Sequence, residues 1–242
     1  MNKPTFLDTC WVRSIFCKND ITQQPFQHIF RDHFFSKSCF DTLKSNFVEA
    51  GLVNENNISR EKKENRLVGR DSYFLCPELL EKMKCIETQN FWKKFITNFK
   101  SSLPETKAYL LNEFQRAGLA TEYSTDNLSI GFRFVTETLP FDLAPHMDMP
   151  QKIAVCVVYV STSGQIEHGG THLYKKNHDT SFKEEVCYDF IENNLVLIPR
   201  VLDSWHGGTW RGQGTRKTFH IYFFSHPTNS IKSLRNRFSF LM

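Results

Sequence analysis

The sequence predicts a single α+β domain with a mainly β core. Three observations carry this. Apolar residues recur at helical spacing through the first half, and short β-branched and aromatic runs punctuated by turns fill the chain from about Leu128. No internal repeat or low-complexity tract divides it. Helices followed by strands in this way suit one α+β unit. At 242 residues, with 40% hydrophobic and 23% charged side chains, the chain can bury one sizeable core. The expected division is a helical support with an N-terminal strand over 1–127, a β core carrying the site over 128–226, and a tail over 227–242.

The first 25 residues show no clear periodicity, but Pro25 opens the strand-like run PFQHIFRDHFF. Ser36 or Ser38 then suits the cap of a helix whose face carries Phe40, Leu43, Phe47 and Ala50, with Gly51 at its stop. Residues 53–72 are polar, lack a core pattern and read as a mobile excursion. Pro77 opens a helical stretch to Leu103, with a break expected near Gln89-Asn90, and a further helix runs from Glu105 to about Gly118. The strand-like runs that follow are LSIGFRFV from Leu128, KIAVCVVYVS from Lys152, THLY from Thr171, NLVLIP from Asn194 and RKTFHIYFF from Arg216.

Charge and cysteine usage narrow the function classes. The net charge of +4 is mild, and the basic run at Arg60 to Lys63 is mixed with acid, which argues against a nucleic-acid partner; the basic tail Lys232 to Arg237 is the one feature in favour. Seven cysteines without a CxxC read as free, mostly buried thiols in a reducing compartment. No apolar run approaches the roughly 18 residues of a membrane span, and MNKPTFLDTCW lacks the layout of a secretory signal. The expected location is cytoplasmic. The 23 phenylalanines, beside abundant Lys and Asn, fit an AT-rich coding bias as well as any function.

The chemistry-bearing set begins at Pro145-His146-Met147-Asp148, between two strand-like runs. In extended backbone, residues two apart point to one side, so His146 and Asp148 can aim at a common point. His206 follows 58 positions after Asp148, in Asp203-Ser204-Trp205-His206-Gly207-Gly208. Two histidines and a carboxylate on one face of an octahedral ion form the triad of non-haem iron(II) oxygenases. The three open positions suit a bidentate 2-oxo acid and dioxygen. Ten residues beyond His206 stands Arg216, sharing a strand face with Thr218 and His220. A guanidinium donates two parallel hydrogen bonds to a carboxylate. Arg216, with the Thr218 hydroxyl, is therefore the expected seat for the far carboxylate of 2-oxoglutarate.

In PHMDMPQKIAVCVVYVS, EHGGTHLY, NLVLIPRVLDSWHGG and GTRKTFHIYFF the chain resembles the Fe(II)/2-oxoglutarate dioxygenases, in their prolyl-4-hydroxylase-like branch. The resemblance spans about Pro25 to Phe224. It implies a double-stranded β-helix, or jelly roll, braced by N-terminal helices. It also implies that Tyr159 touches the 2-oxoglutarate carboxylate, and that Gly169-Gly170-Thr171 matches a GGT-type turn. Tyr159-Val160-Ser161 replaces the YLN of peptide-hydroxylating members, and Gly207-Gly208 replaces a commoner valine-containing form. Both departures turn the expectation toward hydroxylation of a small molecule. A peptide hydroxylase, or a cupin-like metalloprotein that does not use 2-oxoglutarate, are the alternatives. Asp148, a carboxylate rather than a small residue, argues against halogenation.

The remaining candidates divide less sharply. His168 and His172 flank Gly169-Gly170 and read as a turn and a strand start rather than a metal pair. His220 is placed between a pocket role and core packing, and Lys152 reads as a strand cap rather than a substrate contact. Trp205 reads as a core or rim aromatic. Whether Arg133 faces inward depends on strand register.

Overall fold

Strands that read in sequence as unbroken apolar runs are buried on both faces in the structure. The computed structural model describes residues 6–9, 11–15, 21–53, 70–116, 118, 124–138, 141–167 and 169–225. The tail, residues 54–69 and His168 lie outside these. In chain order the elements are α1 (Trp11–Ser14), β1 (Ile21–Thr22), β2 (His28–Arg31), α2 (Lys37–Ser45), β3 (Arg70–Phe74), α3 (Pro77–Lys82) and α4 (Ile86–Arg116). They continue with β4 (Leu128–Glu137), β5 (Phe141–His146), β6 (Lys152–Glu167), β7 (Thr171–Lys176), β8 (Phe182–Tyr188), β9 (Leu195–Pro199) and β10 (Trp205–Ser225).

All pairings are antiparallel. The larger sheet has the order β1-β2-β9-β6-β10-β4-β3, and a smaller one is built by β5, β7 and β8 around the start of β10. Residues 205–210 of β10 belong to the smaller sheet and 211–225 to the larger, so this strand joins the two. Period-two alternation sorts the side chains. Ile130, Phe132 and Phe134 of β4, Cys156 and Val158 of β6, and Phe219, Ile221 and Phe223 of β10 face the helices. Val155 and Tyr159 of β6, Val196 and Ile198 of β9, and Tyr222 of β10 face the space between the sheets. On the helical side, Trp92, Phe95 and Phe99 of α4 meet Phe132, Phe134 and Phe219, with ring centroids 4.8 to 5.9 Å apart. The phenylalanine excess is thus concentrated where the long helix lies on the sheet.

Several elements differ from the sequence expectation. α4 is one helix of 31 residues, unbroken at Gln89-Asn90 and at Pro104; the break falls between Lys82 and Ile86. Pro104 sits on the exposed face, where its missing N–H leaves a carbonyl that water can satisfy. α2 is capped by Ser36, whose Oγ accepts from Cys39 N, but it ends at Ser45, and Ala50–Leu52 form a short 3-10 turn. The polar excursion stops at β3, since Arg70–Phe74 pairs with β4. β8 escaped the pattern because its Lys183, Glu184 and Glu185 are solvated. Cys85, Cys156 and Cys187 are free thiols, and Cys39 and Cys76 are buried. Among the described residues no helix is long and apolar enough to cross a membrane.

Candidate metal centre

His146 is the last residue of β5 and pairs in register with His206, the second residue of β10. Asp148 lies two residues past the end of β5, in the turn before β6. The turn, not strand alternation, therefore brings its carboxylate round. One ligand atom from each of His146, Asp148 and His206 lies within 4.8 Å of the others. His206 Nε2 is 3.9 Å from Asp148 Oδ2, and the two imidazole centroids are 4.4 Å apart.

Backbone carbonyls fix both rings. His146 Nδ1 is 3.1 Å from Ala144 O, and His206 Nδ1 is 3.0 Å from Ser204 O. A carbonyl only accepts, so each Nδ1 carries the proton and donates it, which leaves each Nε2 lone pair for a metal. Burial pushes the His206 pKa down to about 4 despite the attraction of Asp148, so the ring is neutral at physiological pH. Lys152 Nζ pairs with Asp148 Oδ1, and Arg200 Nε donates to Asp148 O at 2.6 Å. Lys152 thus holds the Asp148 carboxylate, a role different from the strand cap expected of it. Two imidazoles and one carboxylate suit a divalent first-row metal with open coordination positions.

The Gly-Gly after His206 has a steric cause. A Cβ on Gly207 would lie 2.4 Å from Leu143 O, so the close approach of β5 to β10 at the centre requires glycine there.

The three ligands open onto a cavity of about 200 Å³. Arg216, Thr218, His220 and Tyr222 line it from the inward face of β10, with Tyr159 from β6. Arg216 Nε donates to Glu137 Oε2 at 2.5 Å and its Nη1 to Gly169 O. Glu137, 1% exposed, also lies 3.2 Å from Arg70 Nε. Tyr159 donates its hydroxyl to Thr171 Oγ1 at 2.7 Å and stacks on Phe190; burial raises its pKa, so the phenol stays protonated. Thr218 Oγ1 is 2.9 Å from His220 Nε2, and His220 Nδ1 is 3.0 Å from the Tyr222 hydroxyl.

Arg70 and Glu137 carried no sequence signal. Their role depends on the β3-β4-β10 register, which sets Arg70, Glu137 and Arg216 side by side. Arg133 faces inward, paired with His220. His172 does not line this cavity. It meets Glu184 through Nδ1 at 2.6 Å and Cys187 through Nε2 at 3.7 Å. Its imidazole, the Glu184 carboxylate and the Cys187 thiol form a second cluster whose ligand atoms lie within 4.8 Å of one another. Trp205 meets Phe182 in a tilted contact, ring centroids 4.8 Å apart.

The buried histidines set a pH dependence. Burial lowers the pKa of His28, His206 and His220; for His220 the nearby Arg70, Arg133, Lys152 and Arg216 add to it. Below the ordinary histidine value of about 6.5 the unfolded chain binds protons that the fold refuses, so stability rises with pH there. It is full above that value and is lost as pH falls through it. Metal-free protein is expected to show a urea midpoint that drops steadily from pH 7 to pH 5; a flat or rising midpoint contradicts neutral burial.

No family model matches the chain, and no curated protein matches it. Solved structures do. A Pseudomonas putida prolyl-4-hydroxylase superposes with a TM-score of 0.51 at 12% identity, over 89% of this chain and 99% of that one. A Trichoplax adhaerens prolyl hydroxylase, in complex with a hypoxia inducible factor oxygen degradation domain peptide fragment, gives 0.53 at 12% identity, over 90% of each. Dioxygenase for auxin oxidation 1 from Arabidopsis thaliana, in a 2-oxoglutarate complex, gives 0.50 at 10% identity, over 95% of this chain and 92% of that one. The chain shares the fold of these two prolyl hydroxylases and of the auxin dioxygenase.

Proposed function

We propose that the protein is an Fe(II)- and 2-oxoglutarate-dependent dioxygenase that hydroxylates a small molecule. The observation that carries this reading is the convergence of His146 Nε2, His206 Nε2 and the Asp148 carboxylate at the mouth of a cavity walled by Arg216. The sheet order β4, β10, β6, β9 opposite β5, β10, β7, β8 is read as a jelly roll closed through β10.

In this reading His146, Asp148 and His206 hold the iron. The bound iron, with 2-oxoglutarate and dioxygen as cosubstrates, supplies oxidative decarboxylation to succinate and carbon dioxide coupled to hydroxylation of a C–H bond. The chain's own groups bind and orient. Lys152 occupies Asp148 Oδ1 and leaves Oδ2 for the metal. Glu137 and Gly169 O pin the Arg216 guanidinium before any ligand arrives, so little of its rotamer entropy is left to lose when it receives the far carboxylate. Thr218 offers its hydroxyl beside it, and Tyr159 offers its phenol oxygen. Val155, Val157 and Ile198 supply an apolar wall that keeps water from the reacting carbon.

Similarity to structures acting on peptides and to one named for auxin oxidation leaves both substrate classes open at the level of fold. The cavity favours the small molecule. Its 200 Å³ lies below the ~300–1,000 Å³ of drug-sized sites, which leaves room for a compact cosubstrate and one end of a substrate.

The test is succinate formation by protein purified without oxygen and supplied with Fe(II), 2-oxoglutarate, ascorbate and air, beside His146→Ala. Slow turnover in the native protein, absent from the variant, is the expected result. No turnover together with no metal-dependent binding of 2-oxoglutarate would overturn the reading in favour of a cupin-like metalloprotein.

A further inference from the structure

Four cationic side chains line the cavity: Arg70, Arg133, Lys152 and Arg216. Two carboxylates among the described residues answer them. Glu137 contacts both Arg70 and Arg216, and Asp148 contacts Lys152. Among the described residues Arg133 contacts only neutral groups. Its Nη2 donates to Ser72 Oγ at 2.5 Å, its Nη1 lies 3.4 Å from the Tyr222 hydroxyl, and its guanidinium carbon sits 5.0 Å from the centroid of Phe74. Its Nε is buried and has no hydrogen-bond partner. A half-buried guanidinium with a buried, unpartnered Nε and no counter-charge among the described residues is unfavourable in a protein that binds nothing there. Such a group inside a cleft marks a ligand site.

The charge sits in two places. Arg70, Glu137 and Arg216 lie on one rung of the β3-β4-β10 ladder, while Phe74, Arg133 and His220 lie on another, four residues along. That is roughly 13 Å of strand. A 2-oxoglutarate whose far carboxylate rests on Arg216 therefore leaves Arg133 unanswered. Contacts also tie Arg133 to the metal side: its Nη1 approaches the Tyr222 hydroxyl, Lys152 Nζ lies 4.9 Å over the Tyr222 ring, and Lys152 grips Asp148.

We propose that Arg133, with the Tyr222 hydroxyl beside it, is the seat for a carboxylate of the substrate, so that the enzyme acts on a carboxylate-bearing small molecule rather than a neutral one. This rests on the oxygenase reading. A charge-assisted pair at Arg133 anchors one end of the substrate and presents a nearby C–H bond to the centre formed by His146, Asp148 and His206. Burial, and after it these same four cations, lower the His220 pKa.

The probes are 3-phenylpropionate and hexanoate, each against its carboxamide. Their binding is followed by ligand-observed NMR with metal-free protein and with protein carrying Zn(II) and 2-oxoglutarate. The acids are expected to bind about tenfold tighter than their amides, the contrast of one charge-assisted hydrogen bond. Arg133→Met is expected to abolish that contrast and to leave 2-oxoglutarate affinity unchanged. Arg133→Gln is the second variant should the first not fold, with the same expectation. Equal binding of acid and amide by the native protein, or no binding of either, overturns the proposal. So does a contrast that survives in the variants, or an Arg133 variant that loses 2-oxoglutarate as Arg216→Met does. Failure of the native protein to bind 2-oxoglutarate with metal present sinks the oxygenase reading alone, because the acid–amide contrast is read separately in metal-free protein.

Discussion

Glu137→Ala is expected to destabilise the fold by about 3–5 kcal/mol, because it strips the carboxylate from the buried Arg216 guanidinium and the half-buried Arg70 at once. Glu137 is 1% exposed, and both Arg70 and Arg216 point at it. Neither arginine can follow its charge into water without leaving the inner face of the sheet. Against a total stability of ~5–15 kcal/mol the loss is a large fraction. It should appear in urea unfolding as a midpoint lowered by roughly 1–2 M. Affinity for 2-oxoglutarate should fall as well, since Arg216 loses the contact that sets its plane. Glu137→Gln keeps the shape and lacks the charge, so it should lie between the native protein and the alanine variant. A loss below about 1 kcal/mol for Glu137→Ala would mean that the pair is solvated as an exposed one is.

Asp148→Ala carries the second large effect. It removes the only carboxylate of the centre and releases Lys152, whose ammonium is then left facing two imidazoles. Changes one contact removed from a metal typically weaken binding 10–100-fold, so loss of a ligand and gain of a repulsive neighbour should exceed ~100-fold. Titration with Mn(II), followed by the electron paramagnetic resonance of the free ion, reads this without turnover. Lys152→Met separates the two contributions: it keeps all three ligands and should weaken the metal far less. Native-like Mn(II) affinity in Asp148→Ala would remove Asp148 from the ligand set.

The clustering of His146, Asp148 and His206 was legible because its signal is local or nearly so. His146 and Asp148 are two residues apart, and Arg216 follows His206 by ten along one strand. The β core was legible for a different reason. KIAVCVVYVS and NLVLIP are apolar at successive positions because helices cover one face and the cavity wall the other. What failed to show was whatever long-range register decides. Arg133 could not be assigned a face until its pairing with His220 was known. Glu137 and Arg70 had no meaning until β3, β4 and β10 were aligned. Arg70-Asp71-Ser72 looked like loop because a strand beside a charged cavity does not carry the apolar alternation that marks one beside a core. Pro104 misled in the opposite direction, since a helix tolerates proline on its wet side when ten buried positions hold the other.

β10 bears His206 in one sheet and Arg216, Thr218, His220 and Tyr222 in the other, on one uninterrupted run of backbone. Its side chains face inward only at every second position. One added or deleted residue between Gly208 and Gly214 would turn the whole later set outward while leaving the metal ligands untouched. The five loci therefore form a single heritable frame. A change of one residue in this stretch keeps the later set inward only if a bulge absorbs it, so its length is constrained as tightly as its glycines.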